Sequence, residues 1–296
     1  MPSVRRFSLG AIDLRGEDRV RFLHGMVSND IEALQVGQGC HAAMLTTKGK
    51  LLADFVVEAH ADRLRVLLAP SLLEKIRAHL DKHIIMDDVE LDAAERPALG
   101  VYGDDAAAAV ARATGLDAVV LAALPPYCFA GPVVRTPELG GVGFHVFGGD
   151  VVVDGAPLDD AEFEERRIEA GTPRYGVDMG EDRLPIEAGI NDAVSFTKGC
   201  YLGQEVIARA TNLGHINRRL VGLVLDGTEP AAAGTKLSSP SKAEAGVITS
   251  SARSRRLGQT LALGYVHRTL WDPGSQLTVA DGRTATVAAL PFAIGR

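Results

Sequence analysis

Apolar positions in the first hundred residues recur at two spacings, and the spacing separates helices from strands. Over 18–25 a helix is predicted, with Val20 and Leu23 on one side, Val27 just beyond, and Gly25 as its stop. The apolar runs 41–45 and 51–58 are joined by Thr46-Thr47-Lys48-Gly49-Lys50, which reads as a hairpin. A strand over 63–68 follows. Ser71 then stands where it would cap a helix over 72–80 that carries Glu74 in its first turn. From Pro97 a similar succession returns: a strand over 98–102, an alanine-rich helix over 104–113, and short strands over 133–136 and 142–146. Strands interrupted by single helices and joined by hairpins predict an α+β fold with antiparallel sheets.

A helix over 158–167 precedes a long stretch, 171–199, rich in glycine, proline and acids. Its apolar residues Val177, Leu184, Ile186, Ile190, Val194 and Phe196 predict an ordered, functional segment. A helix over 203–212, ended by Gly214, comes next. Beyond Arg218 short alternating strands (220–225, 245–250, 260–267, 276–279 and 285–290) alternate with Gly, Pro and Asp turns, the texture of a small barrel. The expected division is 1–213 for an α+β region and 214–296 for an all-β barrel domain.

Composition narrows the function classes. The chain has 296 residues, 31 basic against 38 acidic side chains and a formal net charge of -7; 46% of residues are hydrophobic and 23% charged. That balance belongs to a globular protein. Its sign disfavours nucleic acid, whose binding leans on Lys and Arg. The apolar run near 118–124 is cut by Pro125 and Pro126, so no membrane span is expected. The first residues lack the apolar core of a signal peptide, and a cytoplasmic location is expected. Three cysteines, Cys40, Cys128 and Cys200, lie far apart in the chain and without metal-ligand spacing. Cys40 and Cys128 read as small buried hydrophobes.

Common catalytic signatures fail on inspection. Lys48-Gly49-Lys50 has Met44 where a phosphate loop needs glycine, and Gly140-Gly141-Val142-Gly143 has no following helix. No Gly-x-Ser-x-Gly elbow occurs. His79 and His83, at i and i+4, have no third ligand nearby and read as surface or half-buried histidines. Arg253, Arg255 and Arg256 read as a solvated loop that an anionic tail could meet.

The most informative stretch is Phe196-Thr197-Lys198-Gly199-Cys200-Tyr201-Leu202-Gly203-Gln204-Glu205-Val206-Ile207-Ala208-Arg209. Gly199 and Gly203 permit a tight turn or close backbone approach. Glu205 suits a first helical turn and pairs at i, i+4 with Arg209. Cys200, just before the helix and two residues from Lys198, stands where a thiolate would be favoured. A buried structural thiol in a glycine-fixed turn fits the same spacing.

Lys198-Gly199-Cys200-Tyr201-Leu202-Gly203-Gln204-Glu205 resembles the K-G-C-[FY]-x-G-Q-E signature of the YgfZ family of folate-binding proteins, relatives of the glycine-cleavage T-protein (aminomethyltransferase) that act in iron–sulfur protein maturation. The resemblance extends to Phe22-Leu23-His24-Gly25-Met26-Val27-Ser28-Asn29-Asp30-Ile31, to the 45–54 hairpin, to Arg167-Ile168-Glu169-Ala170-Gly171, and to the barrel segments 218–222 and 261–266. It implies a folate-binding region of two related α+β lobes and a C-terminal β-barrel. It implies tetrahydrofolate, or a one-carbon derivative, as cofactor, and iron–sulfur client or assembly proteins as partners. Glu169 would accept the paired pterin N–H groups. Arg218 or Arg219 would meet the anionic glutamyl tail, with Arg209 a further candidate. Tyr175 and Tyr201 would pack on the flat rings.

Asp54 is implied as a reactive group facing the folate nitrogens. T-proteins carry G-G-x-x-D-D here, and this chain reads Gly49-Lys50-Leu51-Leu52-Ala53-Asp54. Strand alternation puts 53 and 54 on opposite sides. The reactive position corresponds to one or the other, and only Asp54 would support aminomethyl transfer. The implied catalytic set is Cys200, Lys198 and Asp54, with no metal. Three functions follow: a tetrahydrofolate-binding factor in assembly or repair of client iron–sulfur clusters, a folate-dependent aminomethyltransferase with Asp54 as its acid, or a ligand-binding scaffold whose pocket senses folate.

Overall fold

The computed structural model describes residues 1–212 and 216–292. The chain divides into two compact units. One holds Met1–Pro137, Gly141–Leu158 and Asn191–Glu205; the other holds Glu138–Gly140, Asp159–Ile190 and Val206–Arg296. Residues 159–190 therefore group with the barrel. The position expected for the domain boundary, and Gly214 as a helix stop, lie outside the described residues.

The first unit is built on one nine-stranded sheet. Its strands are β1 (Ser3–Arg15), β2 (Gly39–Leu45), β3 (Leu51–Ala59), β4 (Leu64–Leu68), β5 (Glu90–Tyr102), β6 (Phe129–Ala130), β7 (Val133–Arg135), β8 (Gly143–Phe147) and β9 (Ala156–Pro157). They run in the order β2-β3-β4-β1-β5-β8-β7-β6, and β9 pairs in parallel with β1. The seam is the antiparallel pairing of β1 with β5 along the full length of both, Ser3 opposite Tyr102 and Arg15 opposite Glu90. The two expected lobes are thus the two halves of a single sheet. Each half carries its own helices: α1 (Arg19–Met26) and α2 (Leu73–His83) belong to the first, α3 (Ala106–Thr114) and α4 (Ala118–Ala123) to the second.

Packing explains the helical spacings. On α2 the buried residues are Leu73, Ile76 and Leu80, one turn apart. On α3 the small side chains of Ala106, Ala109 and Val110 let the helix lie close over Leu99, Val101, Phe144 and Val146 of the sheet. Ser71 does not cap α2: Pro70–Leu72 form a 3₁₀ turn, and the N-cap position falls on Leu72 without a side-chain hydrogen bond.

The second unit contains α5 (Asp160–Ala170), the single turn α6 (Pro185–Ala188) and six strands: β10 (Arg218–Leu225), β11 (Lys236–Ser239), β12 (Lys242–Ser254), β13 (Gln259–His267), β14 (Gln276–Val279) and β15 (Thr284–Ala288). These close in the order β10-β13-β12-β11-β14-β15. Alternation sorts two cores. Val221, Leu223, Leu225, Leu237, Ala262 and Val287 fill the barrel, whereas Leu220, Leu261, Leu263 and Tyr265 face outward against Ile168 of α5. At its start α5 is capped by the Asp159 carboxylate, which accepts from the Glu162 amide at 2.8 Å, and Gly171 ends it in the left-handed region. A last helix, α7 (Gln204–Asn212), follows the signature. Among the described residues no helix is long and apolar enough to cross a membrane.

Candidate functional site

The β2–β3 hairpin decides what Asp54 can do. In the antiparallel register His41 lies opposite Val56, Ala43 opposite Asp54, and Met44 opposite Ala53. Asp54 and His41 are diagonal neighbours on one face. Ala53 and Met44 share the other face and are fully buried. The carboxylate that the hairpin offers to solvent is that of Asp54, while position 53 is a core position.

His41 draws in residues from far along the chain. Its Nε2 lies 3.2 Å from Asp54 Oδ2 and its Nδ1 3.1 Å from Asp192 Oδ2. The Tyr127 hydroxyl donates to the same Asp192 oxygen at 2.7 Å, and the Tyr127 and His41 rings lie 5.6 Å apart. Asp192 sits on a 3₁₀ turn, Asn191–Ala193, held by polar side chains from the segment just after α1. Asn29 Nδ2 donates to the carbonyls of His41 and Asp192 at 2.7 and 2.9 Å, and Ser28 Oγ donates to that of Ala193 at 2.6 Å. Burial by itself would push the His41 imidazolium down, but the hydrogen bonds and charges of Asp192 and Asp54 outweigh it and lift His41 to about 9. Against the same desolvation, His41 and the Tyr127 hydroxyl hold Asp192 below its ordinary value.

Tyr127 is the one non-glycine residue with positive φ among the described residues, at 67°. For a bulky side chain that conformation is strained and persists only where the surroundings enforce it. One enforcing contact is at Gly39, where a Cβ would meet the Tyr127 carbonyl oxygen at 2.3 Å.

The signature loop is fastened to this unit at two points. Lys198 is buried, and its ammonium donates to the carbonyls of His24, Val27 and Asn29 around the end of α1. Burial brings Lys198 down to about 8. At Gly203, with φ of 85°, a Cβ would meet the Thr46 carbonyl oxygen at 2.5 Å, so the backbone lies directly on the hairpin turn. Between these anchors Cys200 is exposed, and the Phe196 ring just before them is 56% exposed. Two expectations change here. The Lys198 ammonium is committed to carbonyl oxygens as an anchor, and the thiol that feels its charge is Cys40, which burial pushes up to about 12. Tyr201 is buried, with the Lys198 ammonium 5.1 Å from its ring centroid, so it packs the loop instead of presenting an open ring.

In the second unit Glu169 is 2% exposed. Its Oε1 accepts from Ser254 Oγ at 2.6 Å; its Oε2 lies 3.2 Å from Arg256 Nε but receives no aligned hydrogen bond. Neighbouring Arg167 and Asp178 form a buried pair at 2.6 Å. Arg255 reaches Glu165 at 2.8 Å, so Arg255 and Arg256 are tied to α5 acids and are not a freely solvated cluster. Arg219 stacks over Trp271 at 4.6 Å, Arg218 is half-buried, and Tyr175 bridges to Met179. Arg209 lies on α7. The His83 ring donates from Nδ1 to the His79 backbone carbonyl, one turn earlier, at 2.7 Å.

Sequence reasoning missed His41, Asp192 and Tyr127. Only the alternation that puts 41 and 54 on one hairpin face could have suggested His41; nothing local pointed to the other two.

The fold and these sites define a class, the T-protein-like fold: a mixed helix–sheet region with a closed six-stranded C-terminal barrel. Residues 7–131 match the GCVT N-terminal domain, and residues 218–293 match the glycine cleavage T-protein C-terminal barrel domain. The structure aligns with the crystal structure of glycine cleavage system aminomethyltransferase T from Bartonella henselae at a TM-score of 0.87 and 24% identity, over 99% of this chain and 87% of that one. Aminomethyltransferase of Rubrobacter xylanophilus is 29% identical over 87% of this chain and 74% of its own length. The tRNA-modifying protein YgfZ of Sodalis glossinidius is 29% identical over 76% of this chain and 72% of its own. The chain belongs to the YgfZ and T-protein-like family.

Proposed function

We propose that the protein binds tetrahydrofolate, or a one-carbon derivative of it, and assists assembly or repair of iron–sulfur clusters in client enzymes. Glu169 supports the cofactor half. It is a buried carboxylate whose Oε2 lacks an aligned donor, an oxygen that a pterin N–H would satisfy. Arg218 or Arg219, with Arg209, would meet the anionic tail, and Tyr175 would pack on a ring. Bound tetrahydrofolate would supply a carrier for one-carbon units.

The observation that carries the client half is the exposure of Cys200 on a loop pinned on either side by Lys198 and Gly203. A thiol so presented meets another protein without rearrangement of the fold. As the only cysteine of the three that is exposed, Cys200 has no companion for a resident cluster, so the cluster is the client's. The YgfZ relative is named for tRNA modification. A net charge of -7 gives this chain no overall basic excess for direct RNA contact. Cys200→Ser should abolish support of cluster enzymes in cells and leave tetrahydrofolate affinity intact; full activity of that variant refutes the thiol's role. Glu169→Ala should weaken a tetrahydrofolate titration at least tenfold.

A second reading, folate-dependent aminomethyl transfer, is favoured by one observation: Asp54, not Ala53, faces outward on the hairpin. Purified protein given tetrahydrofolate and an aminomethyl-loaded carrier would then form methylenetetrahydrofolate, and no turnover would exclude it.

A further inference from the structure

We propose that His41 is a positioning residue: a doubly protonated clamp that holds Asp54 and Asp192 in one cluster and presents Asp54 as a fixed hydrogen-bond acceptor, not as a proton donor. The inference rests on the folate-binding reading only for what Asp54 would face; the clamp itself stands on the geometry.

Each ring nitrogen of His41 faces a carboxylate oxygen, at 3.2 Å to Asp54 and 3.1 Å to Asp192. A neutral imidazole carries one N–H, so one nitrogen lone pair would point at an oxygen lone pair. Only the imidazolium donates on both sides. While both carboxylates are ionised, the imidazolium has no lone pair with which to take a proton from Asp54, so in that state the ring holds and does not relay. The ring is held by 12% side-chain exposure and by Tyr127 beside it. Tyr127 keeps a strained backbone while its hydroxyl occupies Asp192 from the other side, an arrangement expected where a site enforces its own geometry. The charged and titratable groups around the ring are Asp54 from β3, Asp192 from the 3₁₀ turn, Tyr127 from the segment before β6, and Cys40 on β2 next to His41. Two carboxylates against one imidazolium leave one negative charge, which suits a partner with N–H donors or a positive charge.

The experiment is an NMR titration of the His41 ring in the full-length protein, without ligand. The ring should remain protonated through pH 8. Asp54→Asn and Asp192→Asn should each lower its midpoint by about one pH unit or more. A wild-type midpoint near 6.5, or one that Asp54→Asn leaves unmoved, overturns the clamp. Tetrahydrofolate titrations add a readout that packing alone would not give. His41→Arg keeps two-sided donation and charge, and should bind within about threefold of wild type; His41→Gln, closer in size but neutral, should bind at least tenfold more weakly. Equal tolerance of both variants overturns the proposal. Should the wild type bind no tetrahydrofolate, the proposed function fails, and the ring titration still decides the clamp.

Discussion

Each unit carries a charged cluster centred on an aspartate, and the two are built on opposite principles. In the barrel-containing unit Asp178 has a fully buried side chain and receives four donors: Arg167 at 2.6 Å, the Arg174 amide at 3.0 Å, Thr249 at 2.6 Å and Ser250 at 2.7 Å. Every lone pair has a partner, and those partners come from α5, the segment after it and β12. In the sheet unit Asp192 has a side chain 52% exposed and Asp54 one 23% exposed, sharing one imidazolium beside a strained tyrosine. A buried charge whose bonding is complete has nothing left for a ligand and acts as a rivet. An open cluster with surplus negative charge is poorly employed as a rivet and well placed for recognition.

That contrast predicts a large asymmetry in stability. Asp178→Ala would strand Arg167 in the interior and should cost about 3–5 kcal/mol, whereas Asp54→Ala, which removes one of two partners of the His41 ring, should cost about 1–2 kcal/mol near neutral pH. Urea unfolding of the two variants checks it, and similar losses would erase the distinction. A smaller effect separates the clusters by pH. His41 is raised from 6.5 to about 9, so its stabilisation is complete below 6.5 and drains away as pH rises through 9. Between pH 6.5 and 8, before the lowered Lys198 begins to act in the opposite sense, the unfolding free energy should fall by about 2 kcal/mol through this group. Paired unfolding curves of wild type and His41→Gln should converge over that window, and parallel curves would assign the slope elsewhere. The smallest change is expected for Tyr127→Phe, which removes one donor from a half-exposed carboxylate and should cost about 0.5–1 kcal/mol by thermal unfolding. A much larger loss would make Tyr127 a structural pin.

Much of the framework was legible from periodicity. The helices over α1, α2, α3 and α5, the β2–β3 hairpin and five of the six barrel strands follow from local spacing, with ends displaced by a few residues. β1, at the middle of the sheet, was not read, because its alternation is broken by Arg5-Arg6 and Gly10 and its stability comes from pairing on both edges, with β4 and β5. The glycines of the signature were legible as a close approach, but not what they approach. Lys198 was misread for the same reason: the carbonyls that hold it lie about 170 residues earlier.

The sequence by itself determined the element types, the barrel, the signature and the fact that 53 and 54 point to opposite faces, since each depends on residues within a turn or a strand of one another. Tertiary structure alone decided which of those faces is core, that Lys198 is an anchor, and that His41 and Asp192, 151 positions apart, share a hydrogen bond. Hydrogen bonds and charges act through space, over distances that the order of residues along a chain does not encode.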